Sequence, residues 1–112
     1  MSRVVVLGST NTDMIVRLPE LPASGQTRLG GTFAATPGGK GANQALASVR
    51  AGAPTFLVGA VGTDHFGELA RSTLIESGVD TAQVLALDGD TGVAHIRVDT
   101  ATAQNDIAIV PG

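Results

Sequence analysis

The sequence predicts an α/β fold: a parallel sheet with crossover helices and a smaller β-sheet standing off it. Three observations carry this. Short apolar runs alternate with helix-type segments in the order strand, helix, strand, helix, strand, the pattern of parallel strands joined by crossovers. Two further stretches, within about 13–36 and 91–110, hold extended segments outside that alternation and so predict the second sheet. The composition is that of a packed chain, with 43% hydrophobic and 15% charged residues over 112 positions.

The elements follow in order. "RVVVLGS" (3–9) is a β-branched run closed by glycine, the look of a buried parallel strand. "DMIVRL" (13–18) alternates until the Pro/Gly-rich "PELPASG" breaks it. "QTRLGGTFAAT" (26–36) is extended with two internal glycines, which suits a bent or edge strand. "ANQALASVRA" (42–51) reads as a helix that Gly52 ends. "TFLVGAVG" (55–62) is a second buried strand. "DHFGELARSTLIESG" (64–78) opens with Asp64 as a helix cap, runs amphipathically and stops at Gly78. "AQVLALDG" (82–89) is a third core-type strand. "TGVAHIRVD" (91–99) and "NDIAIVPG" (105–112) alternate in period two with a polar link between them. A parallel sheet of about three strands leaves a buried edge open, so the pattern reads as the first part of a longer fold.

Composition removes several function classes. There is no cysteine, hence no disulfide, thiolate nucleophile or Cys-ligated metal. Three Phe, no Trp or Tyr, a net charge of −3 and no Lys/Arg cluster argue against a nucleic-acid partner. The apolar run Val4 to Leu7 is too short for a signal core or a membrane span, so a cytoplasmic chain with no membrane partner is expected. Two histidines without a nearby Glu or Cys pattern make no metal site. His65 receives no role, His95 is expected to face solvent, and Arg50 and Arg71 are expected on helix surfaces.

"ATPGGKGANQA" (35–45) places three glycines and a lysine ahead of a helix. A Walker A loop fails twice: Ala34 stands where its first glycine belongs, and Gly41 follows Lys40 where a hydroxyl is needed. A dinucleotide fingerprint fails at Gln44. What remains is a glycine-lined turn at a helix start, with Lys40 and Asn43 facing outward. Such a turn is often only a turn, and Asn11 and Asp13 in "GSTNTD" are themselves turn formers. In combination they say more. Ligands of open α/β sheets sit beyond the carboxyl ends of the strands. A carboxylate there grips a vicinal diol, while Asn and Lys supply the donors and acceptors that hydroxyls need. Asn11, Asp13, Lys40 and Asn43 thus form a candidate polyol site.

The stretch from Gly38 to Gly62, with "VVLGSTNTD" (5–13), "VGTDHFGE" (61–68) and "TGVAHI" (91–96), resembles the N-terminal part of the ribokinase-like carbohydrate kinases, the PfkB group, in order along essentially the whole chain. The resemblance implies a Rossmann-like ribokinase fold whose small sheet is a lid over the substrate. It implies sugar contacts at Asn11, Asp13, Gly38, Gly39, Lys40 and Asn43, with Ala94 and Ile109 as an apolar wall. It further implies phosphorylation of a sugar, D-ribose at O5 foremost, with ATP and Mg2+ in the full-length enzyme, and a homodimer paired through the lid strands. The family's catalytic Asp lies in a G-x-G-D motif that does not occur here, and "LDGDTG" (87–92) reads as a turn, so no catalytic, cofactor-binding or metal residue is assigned and the chain alone is expected to be inactive. Fructose, a nucleoside or a related polyol remains an alternative substrate, and a non-catalytic sugar-binding or dimerising fragment an alternative function.

Overall fold

The computed structural model describes residues 2–112. Its elements are β1 (Val4–Leu7), β2 (Asn11–Leu18), β3 (Thr32–Gly38), α1 (Lys40–Arg50), β4 (Thr55–Gly62), α2 (His65–Glu76), β5 (Asp80–Leu87), β6 (Val93–Asp99) and β7 (Asn105–Val110). They build two sheets. One is parallel and three-stranded in the order β1-β4-β5; the other is four-stranded in the order β3-β2-β6-β7. Within the second, β2 runs antiparallel to β3 and parallel to β6, and β7 returns antiparallel along β6. The predicted α/β core and stand-off sheet are both present. Among the described residues no helix is long and apolar enough to cross a membrane.

The core lies where the helices meet the parallel sheet. Val6, Leu57 and Val84, one from each strand, join Ala42, Ala45 and Leu46 of α1 and Leu74 of α2 in one buried cluster. Leu57 and Leu74 have no exposed surface, and each contributes roughly 1.5–3 kcal/mol by leaving water. Both helices occupy the same face. The strand order advances in one direction, and right-handed crossovers made in one direction return on one side.

That geometry corrects the expectation of buried strands. The opposite face of the parallel sheet is open: Val5 is 65% and Leu7 80% exposed, and Leu85 and Leu87 are each more than half exposed. Arg3 lies over the ring of Phe56 on this face, 5.5 Å from its centre. A second correction concerns Arg71. Its guanidinium donates to the carbonyl of Val84 at 2.6 Å, tying α2 to β5 rather than standing free in solvent. His95 and Arg50 are exposed as expected.

The four-stranded sheet also has two unlike faces. Thr12 is buried and donates its hydroxyl to the carbonyl of Phe66 at 2.9 Å, which docks one face on the start of α2. The other face carries Asp13, Ile15, Ala94, Ile96, Ile107 and Ile109, since residues paired across neighbouring strands point the same way.

Candidate functional site

The site forms where the exit of β1 meets the entry of α1. Gly39 caps the helix with φ 87°, a left-handed backbone that favours glycine, and a side chain there would lie 2.7 Å from the Ser9 carbonyl. The amide of Ala42 donates to that same carbonyl at 3.1 Å. Gly8 and Gly41 touch backbone to backbone, so that a β-carbon on Gly8 would sit 2.8 Å from the Gly41 Cα. These contacts bring "GSTNTD" and "GGKGANQA", distant in sequence, into a single corner. They also explain why α1 starts at Lys40, two residues earlier than its Ala-rich pattern suggests.

From this corner β2 carries the candidate residues outward. Asn11 pairs with Gly38, and the Asp13 carboxylate fills the space that a side chain at Gly38 would need. Asp13 then lies in one cross-strand row with Thr36, Ala94 and Ile109. Ala94 is buried and Ile109 exposed. Asn11, Asp13, Gly38, Ala94 and Ile109 are therefore brought to one face of the sheet, beside the Gly39 turn. Lys40 and Asn43 are exposed on the first turn of α1 and make no hydrogen bond or ion pair with Asn11 or Asp13 among the described residues.

Asp13 is half-buried, and that burial pushes its carboxyl above the ordinary carboxylate range. No donor among the described residues offsets the cost, so the carboxylate is an acceptor that lacks a partner. A cleft of about 340 Å³ opens at Asn11 between Ser9–Asn11, Ala60–Gly62, Leu87–Gly92 and Gly112, at the lower end of ligand-pocket sizes. Of the eight candidate residues only Asn11 lines this cleft; Asp13, Gly38, Ala94 and Ile109 lie along the sheet, and Gly39, Lys40 and Asn43 at the start of α1.

Two residues of the cleft wall escaped sequence reasoning. Thr10 is buried, and its hydroxyl has no hydrogen-bond partner among the described residues. Thr91 is buried too, and it bonds to Asp64. Asp64 caps α2 as expected, accepting from the Gly67 amide at 3.0 Å. The Thr-Gly pair ahead of an alternating strand was the only signal for Thr91, and it speaks of a strand start rather than of a partner.

Across residues 1–112 the sequence matches the family model described as pfkB family carbohydrate kinase. The chain belongs to this family of carbohydrate kinases. Among its relatives, the ribokinase of Bacillus subtilis is 41% identical, covering all of this chain and 38% of that protein. The ribokinase of Lactococcus lactis is 39% identical, covering all of this chain and 37% of that one. Of solved structures, the ribokinase of Giardia lamblia superposes with a TM-score of 0.82 at 36% identity, over 98% of this chain and 36% of its own. Arabidopsis thaliana ribokinase complexed with ribose and ATP superposes with a TM-score of 0.77 at 36% identity, over 96% of this chain and 35% of its own. The chain thus spans a little over a third of the length of these relatives.

Proposed function

We propose that this chain is the sugar-binding part of an ATP-dependent kinase that phosphorylates D-ribose at O5. One observation carries the reading: an unpartnered carboxylate, Asp13, sits in a row with apolar Ala94 and Ile109, beside a side-chain-free turn at Gly38 and Gly39. A sugar needs that mixture, hydroxyls gripped at its edge and an apolar surface against its ring. The Asp13 carboxylate accepts from two neighbouring hydroxyls; Asn11 and Asn43 donate and accept; Lys40 donates. Each bond to the charged group contributes about 1.5–3 kcal/mol net. Gly38 leaves room for the Asp13 carboxylate and Gly39 for the Ser9 carbonyl, which sets the carboxylate beside the turn. The preference for ribose is supported by the relatives' names and by the ribose bound in the Arabidopsis structure.

These residues bind and orient the acceptor; aligning a reacting hydroxyl is worth up to about 7–11 kcal/mol of barrier in well-placed systems. ATP would supply the phosphoryl group and Mg2+ would neutralise its charge. Neither group is assigned to a residue of this chain. Among the described residues no three His, Cys, Asp or Glu side chains gather, and Gly41 stands where a phosphate loop needs its hydroxyl. No step of phosphoryl transfer falls to them. The open sheet face with Ile107 and Ile109 extends the proposal to a homodimer in which two lids pair.

The test is calorimetric titration of the protein with D-ribose, D-fructose and adenosine, followed by phosphorus NMR of the product formed with ATP and Mg2+ in the full-length enzyme. Ribose binding and ribose 5-phosphate are expected. Preference for fructose or adenosine reassigns the substrate, and sugar binding without any product leaves a non-catalytic binding role.

A further inference from the structure

We infer that Asp64 is a positioning residue for the sugar site, acting through Thr91 on Asn11 and on the entry of β6. The inference rests on the sugar-binding reading above. Capping α2 requires one bond, from the Gly67 amide to Oδ1. The carboxylate does more. Oδ1 also accepts from the Thr91 hydroxyl at 2.6 Å, and Oδ2 accepts from the Thr91 amide at 3.1 Å. The same hydroxyl accepts from the Gly62 amide at 2.9 Å. Thr91 is thereby held at amide and hydroxyl together, and none of this is needed to start a helix. The Thr91 hydroxyl, ahead of the amides, holds the Asp64 carboxyl below its usual range.

The joint has no slack. A β-carbon on Gly67 would lie 2.9 Å from the Thr91 hydroxyl, and one on Gly62 would meet the Thr91 amide nitrogen at 2.5 Å. The next residue transmits the constraint. The carbonyl of Gly92 accepts from the Thr12 amide at 3.0 Å, and Asn11 Oδ1 lies where a side chain on Gly92 would be, 2.6 Å from its β-carbon position. Thr12 in turn grips the Phe66 carbonyl. The first residues of α2 therefore hold both strands that carry the site: β2 through Thr12, with Asn11 and Asp13 on either side, and β6 through Thr91, three residues before Ala94. If Asp64 releases Thr91, Gly92 shifts under the Asn11 amide, and Ala94 moves against Asp13.

Variants of the intact protein separate this role from capping. Asp64→Asn keeps an N-cap oxygen for Gly67, since Asn caps as well as Asp, but turns an NH2 toward the Thr91 amide. Thr91→Val keeps the shape and removes the hydroxyl; Thr91→Ser restores it. D-ribose titrations are expected to show D64N and T91V weakened about tenfold, within the range of coupling between linked sites, and T91S binding as the wild type does. Wild-type affinity in D64N and T91V, or equal loss in T91S and T91V, overturns the inference. A wild-type protein that binds no ribose overturns the sugar reading and this inference with it. Where D64N or T91V does not fold, the wild type decides. By reciprocity, saturating ribose must slow hydrogen exchange at the Thr91 and Gly92 amides, and unchanged exchange there overturns the inference.

Discussion

The burial of Asp13 has a cost in stability. Burial raises its carboxyl pKa, so the folded chain holds this proton more tightly than the unfolded chain does. The sign follows: the stabilisation is full below the unfolded value of 3.8 and is lost as pH rises through the raised folded value. At neutral pH the ionised group is a net cost. Asp13→Asn is therefore expected to raise the thermal midpoint at pH 7, with the gap to wild type closing below about pH 4. The same substitution should weaken ribose binding about ten- to hundredfold, the value of bonds to a charged acceptor. Wild-type affinity for ribose should fall as acid protonates Asp13, and calorimetry through that range checks it. The candidate residues stood out in the sequence because a carboxylate, two amides and a lysine beside glycines are a rare mixture. Thr91 was not, because its role rests on a partner in another element.

At the level of elements, the two faces of the parallel sheet set a contrast. Leu57 is wholly buried under the helices, whereas Leu7, on neighbouring β1, points to the open face. In denaturant unfolding of the 112-residue chain, Leu57→Ala is expected to cost about 2–5 kcal/mol. Leu7→Thr should stay within about 0.5 kcal/mol of wild type. Period-two alternation and β-branched runs were enough to place β4, β6 and β7, and Asp64 with Gly78 enough to bracket α2. Burial was not legible on the same terms. A run such as "VVVL" reads alike whether one face or both are covered, and only the strand order shows that β1, β4 and β5 have helices on one side. Local pattern also misplaced the start of α1, which is set by contacts of Gly39 and Gly41 with the turn after β1.

As a whole the molecule is drawn out rather than round. Its radius of gyration is 15.6 Å, against about 13 Å for a compact chain of this length, and its extents are 51 × 32 × 18 Å. The stand-off sheet accounts for the excess, and its far strand carries Ile107, Ile109 and Val110 more than half exposed. If two lids pair there, sedimentation should show a concentration-dependent dimer, and Ile107→Lys should return it to a monomer by placing a charge in an apolar contact. A wild-type monomer at every concentration would remove the pairing.

The pairing of β2 with β6 has a consequence for the order of assembly. β2 is the second strand to be synthesised, yet its parallel neighbour starts at Val93, beyond every element of the α/β core. Closing that contact across nearly the whole chain is slow, because the loop entropy is lost before any ladder bond is gained. The shorter crossovers of the parallel sheet come first. Pulse-labelled hydrogen exchange during refolding should therefore protect the β1-β4-β5 amides before those between β2 and β6. On the ribosome β2 waits, paired only with β3, until the last quarter of this sequence arrives.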